Sequence, residues 1–165
     1  MQHLVGRQLP DVMLPSTGGG VEMPARLKGS CAIFCYPWTG RPGHPNPPDW
    51  DKIPGAHGST PQAQAYSKAY ESFRTLGVKL FGLSFQSTEW QQEFARRNQL
   101  NFALLSDESR EFSTALGLPF FTTGGMDYLQ RLTLVSRNGV IAALRFPVPI
   151  PEQDAHEVLA LLQPR

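Results

Sequence analysis

Between Cys31 and Leu105 the chain alternates apolar runs with amphipathic stretches, and this alternation leaves few folds open. SCAIFCY is apolar at nearly every position, as a strand covered on both faces requires, and predicts a strand over 31–36. From Ser59, Tyr66, Tyr70 and Phe73 recur at helical spacing and the pattern stops at Gly77. A buried strand over Val78–Ser84, a helix over 88–98 with Trp90 and Phe94 one turn apart on its core face, and a strand over 102–105 follow. Strand, helix, strand, helix, strand implies parallel pairing through right-handed crossovers. Asn138-Gly139, between apolar runs at 131–136 and 140–145, is a strong hairpin signal and adds an antiparallel edge. The expected class is therefore α/β with a central mixed sheet flanked by helices.

The remaining segments fit around that sheet. Apolar residues at 12–14 and 21–23 across STGGG suggest an N-terminal hairpin. Residues 108–116 read as a short helix closed by Gly117, and 118–130, with PFFTTGG, as an irregular apolar loop. PEQDAHEVLALLQ starts with proline and acids and continues with Val158, Leu159 and Leu162, a closing amphipathic helix. A length of 165 residues suits one domain over 1–165.

One segment resists this pattern. PWTGRPGHPNPPDWDKIPGAHG, residues 37–58, holds six prolines and four glycines, so neither a helix nor a central strand runs through it. Trp38, Trp50 and Ile53 give this inserted loop apolar anchors that a free linker has no use for, and predict that it packs down.

Charge and composition narrow the partners. Fifteen Lys and Arg against fourteen Asp and Glu leave a net +1 with no run of like charge, which argues against nucleic acid and against an anionic membrane surface. MQHLVGRQLPDVML lacks the pattern of a signal peptide, and no stretch is apolar enough to cross a bilayer, so the expected address is cytoplasmic. The two cysteines, Cys31 and Cys35, share one face of a strand with Cα atoms roughly 13 Å apart, too far for a disulfide. Buried, reduced thiols are expected there.

The transition from the loop into the first long helix, GAHGSTPQAQ, is where chemistry is expected. A helix start presents free N–H groups and a positive dipole end, which stabilise an anion or an ionised nucleophile. A cysteine there ionises readily, whereas serine stays a neutral alcohol. Ser59 itself reads as an N-cap, with Ser-Thr-Pro-Gln as a capping box.

VGRQLPDVMLP, IFCYPWTGRPG, IPGAHGSTPQAQAY, LFGLSFQS, LLSDES and QRLTLVSRNGVI together resemble a peroxiredoxin of the bacterioferritin-comigratory, or Q, type within the alkyl hydroperoxide reductase and thiol-specific antioxidant family. The resemblance spans nearly the whole chain and implies a thioredoxin-like fold and an antioxidant oxidoreductase that reduces hydrogen peroxide or organic hydroperoxides. It places Ser59 at the peroxidatic cysteine and Gln64 at the resolving one, so both family thiols are absent. It places the family's site arginine on Arg131 and, displaced by the inserted loop, its threonine on Thr39. Pro37, Trp38, Gly58, Thr60, Phe120 and Phe121 are then implied to surround the substrate, although the aromatic residues also suit ordinary core. The implied partners are a hydroperoxide and an external thiol reductant such as thioredoxin or glutathione, for a monomer or homodimer that needs no cofactor. Ser59 is either an introduced Cys-to-Ser change or the mark of a natural member that lost peroxidase chemistry.

Two other chemistries fare worse. His44, His57, Asp49 and Asp51 show no recognised ligand spacing, so no metal is expected. AHGSTP lacks the G-x-S-x-G elbow, and His57 stands too close in sequence to Ser59 to serve easily as its base.

Overall fold

The computed structural model describes residues 1–163. Its centre is a five-stranded sheet in the order β5-β4-β3-β8-β9. β3 (Ser30–Cys35), β4 (Val78–Ser84) and β5 (Ala103–Ser106) run parallel, while β8 (Leu132–Arg137) lies antiparallel to β3 and β9 (Val140–Arg145) antiparallel to β8. The mixed α/β sheet expected from the alternation is present, as is the N-terminal hairpin, reduced to β1 (Leu14–Pro15) and β2 (Val21–Glu22).

Alternation along β3 divides the core in two. Cys31, Ile33 and Cys35 face a layer built from the N-terminal segment and α3 (Glu111–Leu116). Ala32, Phe34 and Tyr36 face α1 (Ser59–Thr75), α2 (Thr88–Arg97) and α4 (Asp154–Leu162). Phe34 stacks on Tyr66 of α1 with ring centroids 4.4 Å apart, and both are fully buried. Truncating such a phenylalanine to alanine costs about 3–5 kcal/mol, so this contact is a principal clamp of α1 onto the sheet. Phe94 joins the same core, but Trp90, expected beside it, is half-buried and donates its indole N–H to the Thr39 carbonyl at 2.7 Å. Its polar tip finds an acceptor only by turning toward the inserted loop.

Residues 118–130 are not irregular. They form a hairpin, β6 (Phe120–Thr123) and β7 (Met126–Leu129), around Gly124-Gly125, which both have positive φ. Two such residues are what a tight hairpin turn needs, and Gly-Gly supplies them without strain. The hairpin tip braces the inserted loop: the Thr123 hydroxyl donates to the Pro48 carbonyl at 2.7 Å, and a Cβ on Gly124 would meet the Pro48 ring at 2.8 Å. Trp50 completes the contact, buried against Trp38, Tyr128 and Phe121. Residues 37–58 are thus packed down by their tryptophans, with Ile53 alongside.

Candidate active site

Gly58 turns the chain into α1. Its φ of 115° is open to glycine, and a Cβ there would stand 2.6 Å from the Pro151 ring. Gly58, not Ser59, is therefore the residue that caps α1, and the expected capping box does not form. Ser59 is the first helical residue, and Gln62 turns away from the helix end toward the protein interior. This frees the Ser59 hydroxyl to meet Arg131, and the helix start leaves the N–H groups of Ser59 and Thr60 without intrahelical acceptors.

Arg131 stands just before β8 and is only 5% exposed. Its Nη2 donates to Ser59 Oγ at 3.2 Å and lies 3.1–3.2 Å from the carbonyl oxygens of Gly55, Ala56 and His57. Its Nη1 donates to Gln62 Oε1 at 2.6 Å. Burial pulls the guanidinium pKa down to about 10, with the Asp154 charge opposing the shift, so at neutral pH a cation remains beside position 59. A dipole end and a desolvated cation converge on one side chain, the arrangement that lowers a thiol pKa or holds an oxyanion.

A cleft of about 300 Å³ opens onto this corner, lined among others by Trp38, Thr39, Asn46, His57, Ser59 and Thr60. Thr39 shares the cleft with Ser59 despite the insertion, although its hydroxyl donates to Gln86 Oε1 at 3.0 Å. Trp38, Gly58 and Thr60 also line it. Pro37 lines a neighbouring cleft of about 390 Å³ instead. Phe121 is spent on Trp50 and Tyr128, and Phe120 is turned outward at 54% exposure, so the expectation that both wall the cleft is corrected. Alternation along β6 sends these neighbours to opposite faces. Among the described residues no group of three or more His, Cys, Asp and Glu is placed to hold a metal ion. His57 instead sits 2.5 Å from Asp51.

Gln64 is exposed and donates to Asn98 at 3.2 Å. Cys31 and Cys35 are buried as free thiols. Burial raises the Cys31 pKa to about 12 and pushes Cys35 higher still, the latter helped by the charges of Asp107 and Asp154. Two site residues escaped the sequence reading, Gln62 and Asp154. Gln62 is fully buried on the core face of α1 one turn before Tyr66, so a polar residue within that apolar stripe was the signal available.

Residues 53–144 match the family model described as the AhpC/TSA family. A chloroplastic peroxiredoxin Q of Sedum lineare is 34% identical over 113 residues, covering 68% of this chain and 59% of that protein. A chloroplastic peroxiredoxin Q of Oryza sativa subsp. japonica is 32% identical over 159 residues, covering 96% and 66%. The chain thus spans 59–66% of the length of these curated relatives. Among solved structures, a Cys-to-Ser mutant of Xanthomonas campestris peroxiredoxin Q superposes with a TM-score of 0.75 at 21% identity, covering 96% of each chain. A Cys-to-Ser mutant of Xylella fastidiosa PrxQ gives 0.77 at 18% identity over 96% of this chain and 94% of that one. The fold is that of the thioredoxin-like peroxiredoxins. The cytoplasmic address expected from the N-terminus is overturned by the plant relatives, which are chloroplastic.

Proposed function

The chain belongs to the AhpC/TSA family, and from that premise we propose that the corner at residue 59 is a hydroperoxide site of a thiol-dependent peroxidase, with serine standing where the nucleophilic sulfur belongs. The observation that carries this reading is Arg131, buried behind the helix start with Nη2 3.2 Å from Ser59 Oγ. With a cysteine at 59, the thiolate attacks one peroxide oxygen. The S–O bond forms as the O–O bond breaks, sulfur becomes a sulfenic acid, and the leaving oxygen departs as hydroxide or alkoxide and takes up a proton. Arg131 and the N–H groups at the start of α1 then stabilise the developing oxyanion. Thr39 and Thr60 border the space in which the peroxide sits, with Trp38 and Gly58.

The serine chain does not turn over. An alcohol supplies no anion at neutral pH and has no reversible counterpart to the sulfenic step. A thiol such as thioredoxin or glutathione completes the cycle, because Gln64 offers no resolving sulfur and Cys31 and Cys35 are buried. The test is hydroperoxide consumption by the Ser59→Cys protein with a thiol reductant. Turnover that the unaltered chain lacks supports the reading, and a Ser59→Cys protein as inert as the parent ends it.

A second reading rests on how settled the two altered positions are. Ser59 is hydrogen-bonded to Arg131, and Gln64 to Asn98, as in a natural family member that binds or transforms a small molecule in the former peroxide cleft without redox cycling. A serine codon at position 59 in the source gene favours this second reading, and a cysteine codon the first.

A further inference from the structure

Arg131 is a buried cation with no carboxylate bonded to it among the described residues. Its Nη1 ends on a neutral amide oxygen, Gln62 Oε1, at 2.6 Å. The other end of that amide donates from Nε2 to Asp154 Oδ2 at 3.2 Å. Gln62 and Asp154 are both fully buried.

An amide held between a carboxylate and a guanidinium has one workable orientation. Its NH2 must face the carboxylate and its oxygen the guanidinium, since the reverse sets acceptor against acceptor and donor against donor. Asp154 is itself held firmly. Tyr66, one helical turn beyond Gln62, and Thr133, on β8 beyond Arg131, each donate a hydroxyl to Oδ2 at 2.6 Å, and Arg145 Nε donates to Oδ1 at 3.0 Å. Arg145 also pairs with Glu157. The carboxylate thus gathers α1, β8, β9 and α4 at one point, on the far side of Gln62 from residue 59.

We propose that Asp154 is a positioning residue that acts through Gln62: a carboxylate–amide–guanidinium relay fixes the Gln62 amide and so aims Arg131 at the reacting atom of residue 59. The inference rests on the reading of residue 59 as the nucleophile position. It extends the site from the cleft to the start of the C-terminal helix.

The test uses the full chain carrying Ser59→Cys, with the pH dependence of iodoacetamide alkylation at the introduced thiol followed by peptide mass spectrometry. Adding Gln62→Met or Asp154→Asn is expected to move the alkylation midpoint up by about one pH unit, through loss of an ordered cation beside the thiolate. The two changes together are expected to move it no further than Gln62→Met alone, because Asp154 acts through that amide. Gln62→Glu, which gives Arg131 a carboxylate directly, is expected to restore the midpoint in the Asp154→Asn background. Additive shifts, an unmoved profile in Gln62→Met or no restoration by Gln62→Glu overturn the relay. Should Asp154→Asn fail to fold, Tyr66→Phe and Thr133→Val, which each remove one hydroxyl from Asp154 Oδ2, decide in its place: the relay predicts an upward move of the midpoint that adds nothing once Gln62→Met is present, and independent shifts overturn it. Alkylation involves no peroxide. A relay that passes in a Ser59→Cys protein unable to reduce peroxide sinks the peroxidase reading alone, and peroxide turnover without coupling sinks the relay alone.

Discussion

Two regions of this molecule treat sulfur in opposite ways. On β3, Cys31 and Cys35 are real thiols in surroundings that keep them protonated, buried in the core layer with Cys31 raised to about 12. At the start of α1, the surroundings favour an anion, with Arg131 and the helix end converging on one side chain, and that side chain is a serine. Reactivity follows from placement as much as from the element: the chain has sulfur where burial keeps it protonated, and none where a buried cation and a helix start favour an anion.

The largest expected effect breaks or confirms that contrast within one molecule. In the Ser59→Cys protein at neutral pH, the introduced thiol is expected to react with iodoacetamide at least about 10³-fold faster than Cys31 or Cys35, in proportion to thiolate fraction. Comparable rates at all three positions, read by peptide mass spectrometry, remove the distinction. In the unaltered chain neither cysteine is expected to label until denaturant unfolds the protein.

Replacing Arg131 with methionine in the Ser59→Cys protein is expected to lower kcat/KM for hydroperoxide by about 10²-fold, the usual cost of losing an oxyanion donor. It also strips the carbonyls of Gly55, Ala56 and His57 of their shared donor, so a melting curve separates loss of fold from loss of charge. An Arg131→Met protein with undiminished turnover shows that the cation is only a strut for the loop.

Gly58→Ala sharpens the geometric side of the comparison. The positive φ and the Pro151 ring both oppose a methyl group, and a destabilisation of about 1–3 kcal/mol in urea melts is expected. A neutral result means that the junction is more pliable than the contact implies.

The smallest effect concerns the hairpin that braces the loop. Asp127 is held below the usual carboxylate range by the Thr122 hydroxyl first and then by Arg110. A depressed folded-state pKa contributes stability that is complete above the ordinary Asp value and is lost as pH falls through the lower folded value. Trp50 packs on the hairpin through Phe121 and Tyr128, so a modest change in tryptophan emission on acidification is expected, absent in Asp127→Asn.

How far the sequence foretold this structure depended on the range of the forces involved. The central sheet was legible because each strand's apolar run and each helix's stripe is a local pattern, and Val78–Ser84 and Val140–Arg145 carry the bounds their composition suggests. The hairpin β6–β7 was missed because its strands are only four residues each and mix exposed, half-buried and buried positions without a clean alternation of apolar and polar residues, which leaves only Gly124-Gly125 as a signal. The N-cap was misplaced by one residue because serine and glycine both suit the position, and contact with Pro151, far along the chain, decided between them. Arg131 was placed by family resemblance, not by any property of its neighbours. Asp154 was invisible because its partners Gln62 and Thr133 lie 92 and 21 positions away, and nothing in PEQDAHE marks that acid as buried.

The central claim is that the corner at residue 59 was shaped for a sulfur anion. The thiolate absorbance of the Ser59→Cys protein near 240 nm, titrated against pH with the Ser59 parent as blank, tests it most directly. A midpoint well below the ~8.5 of an unperturbed cysteine is the predicted result. A midpoint at or above that value would contradict the account.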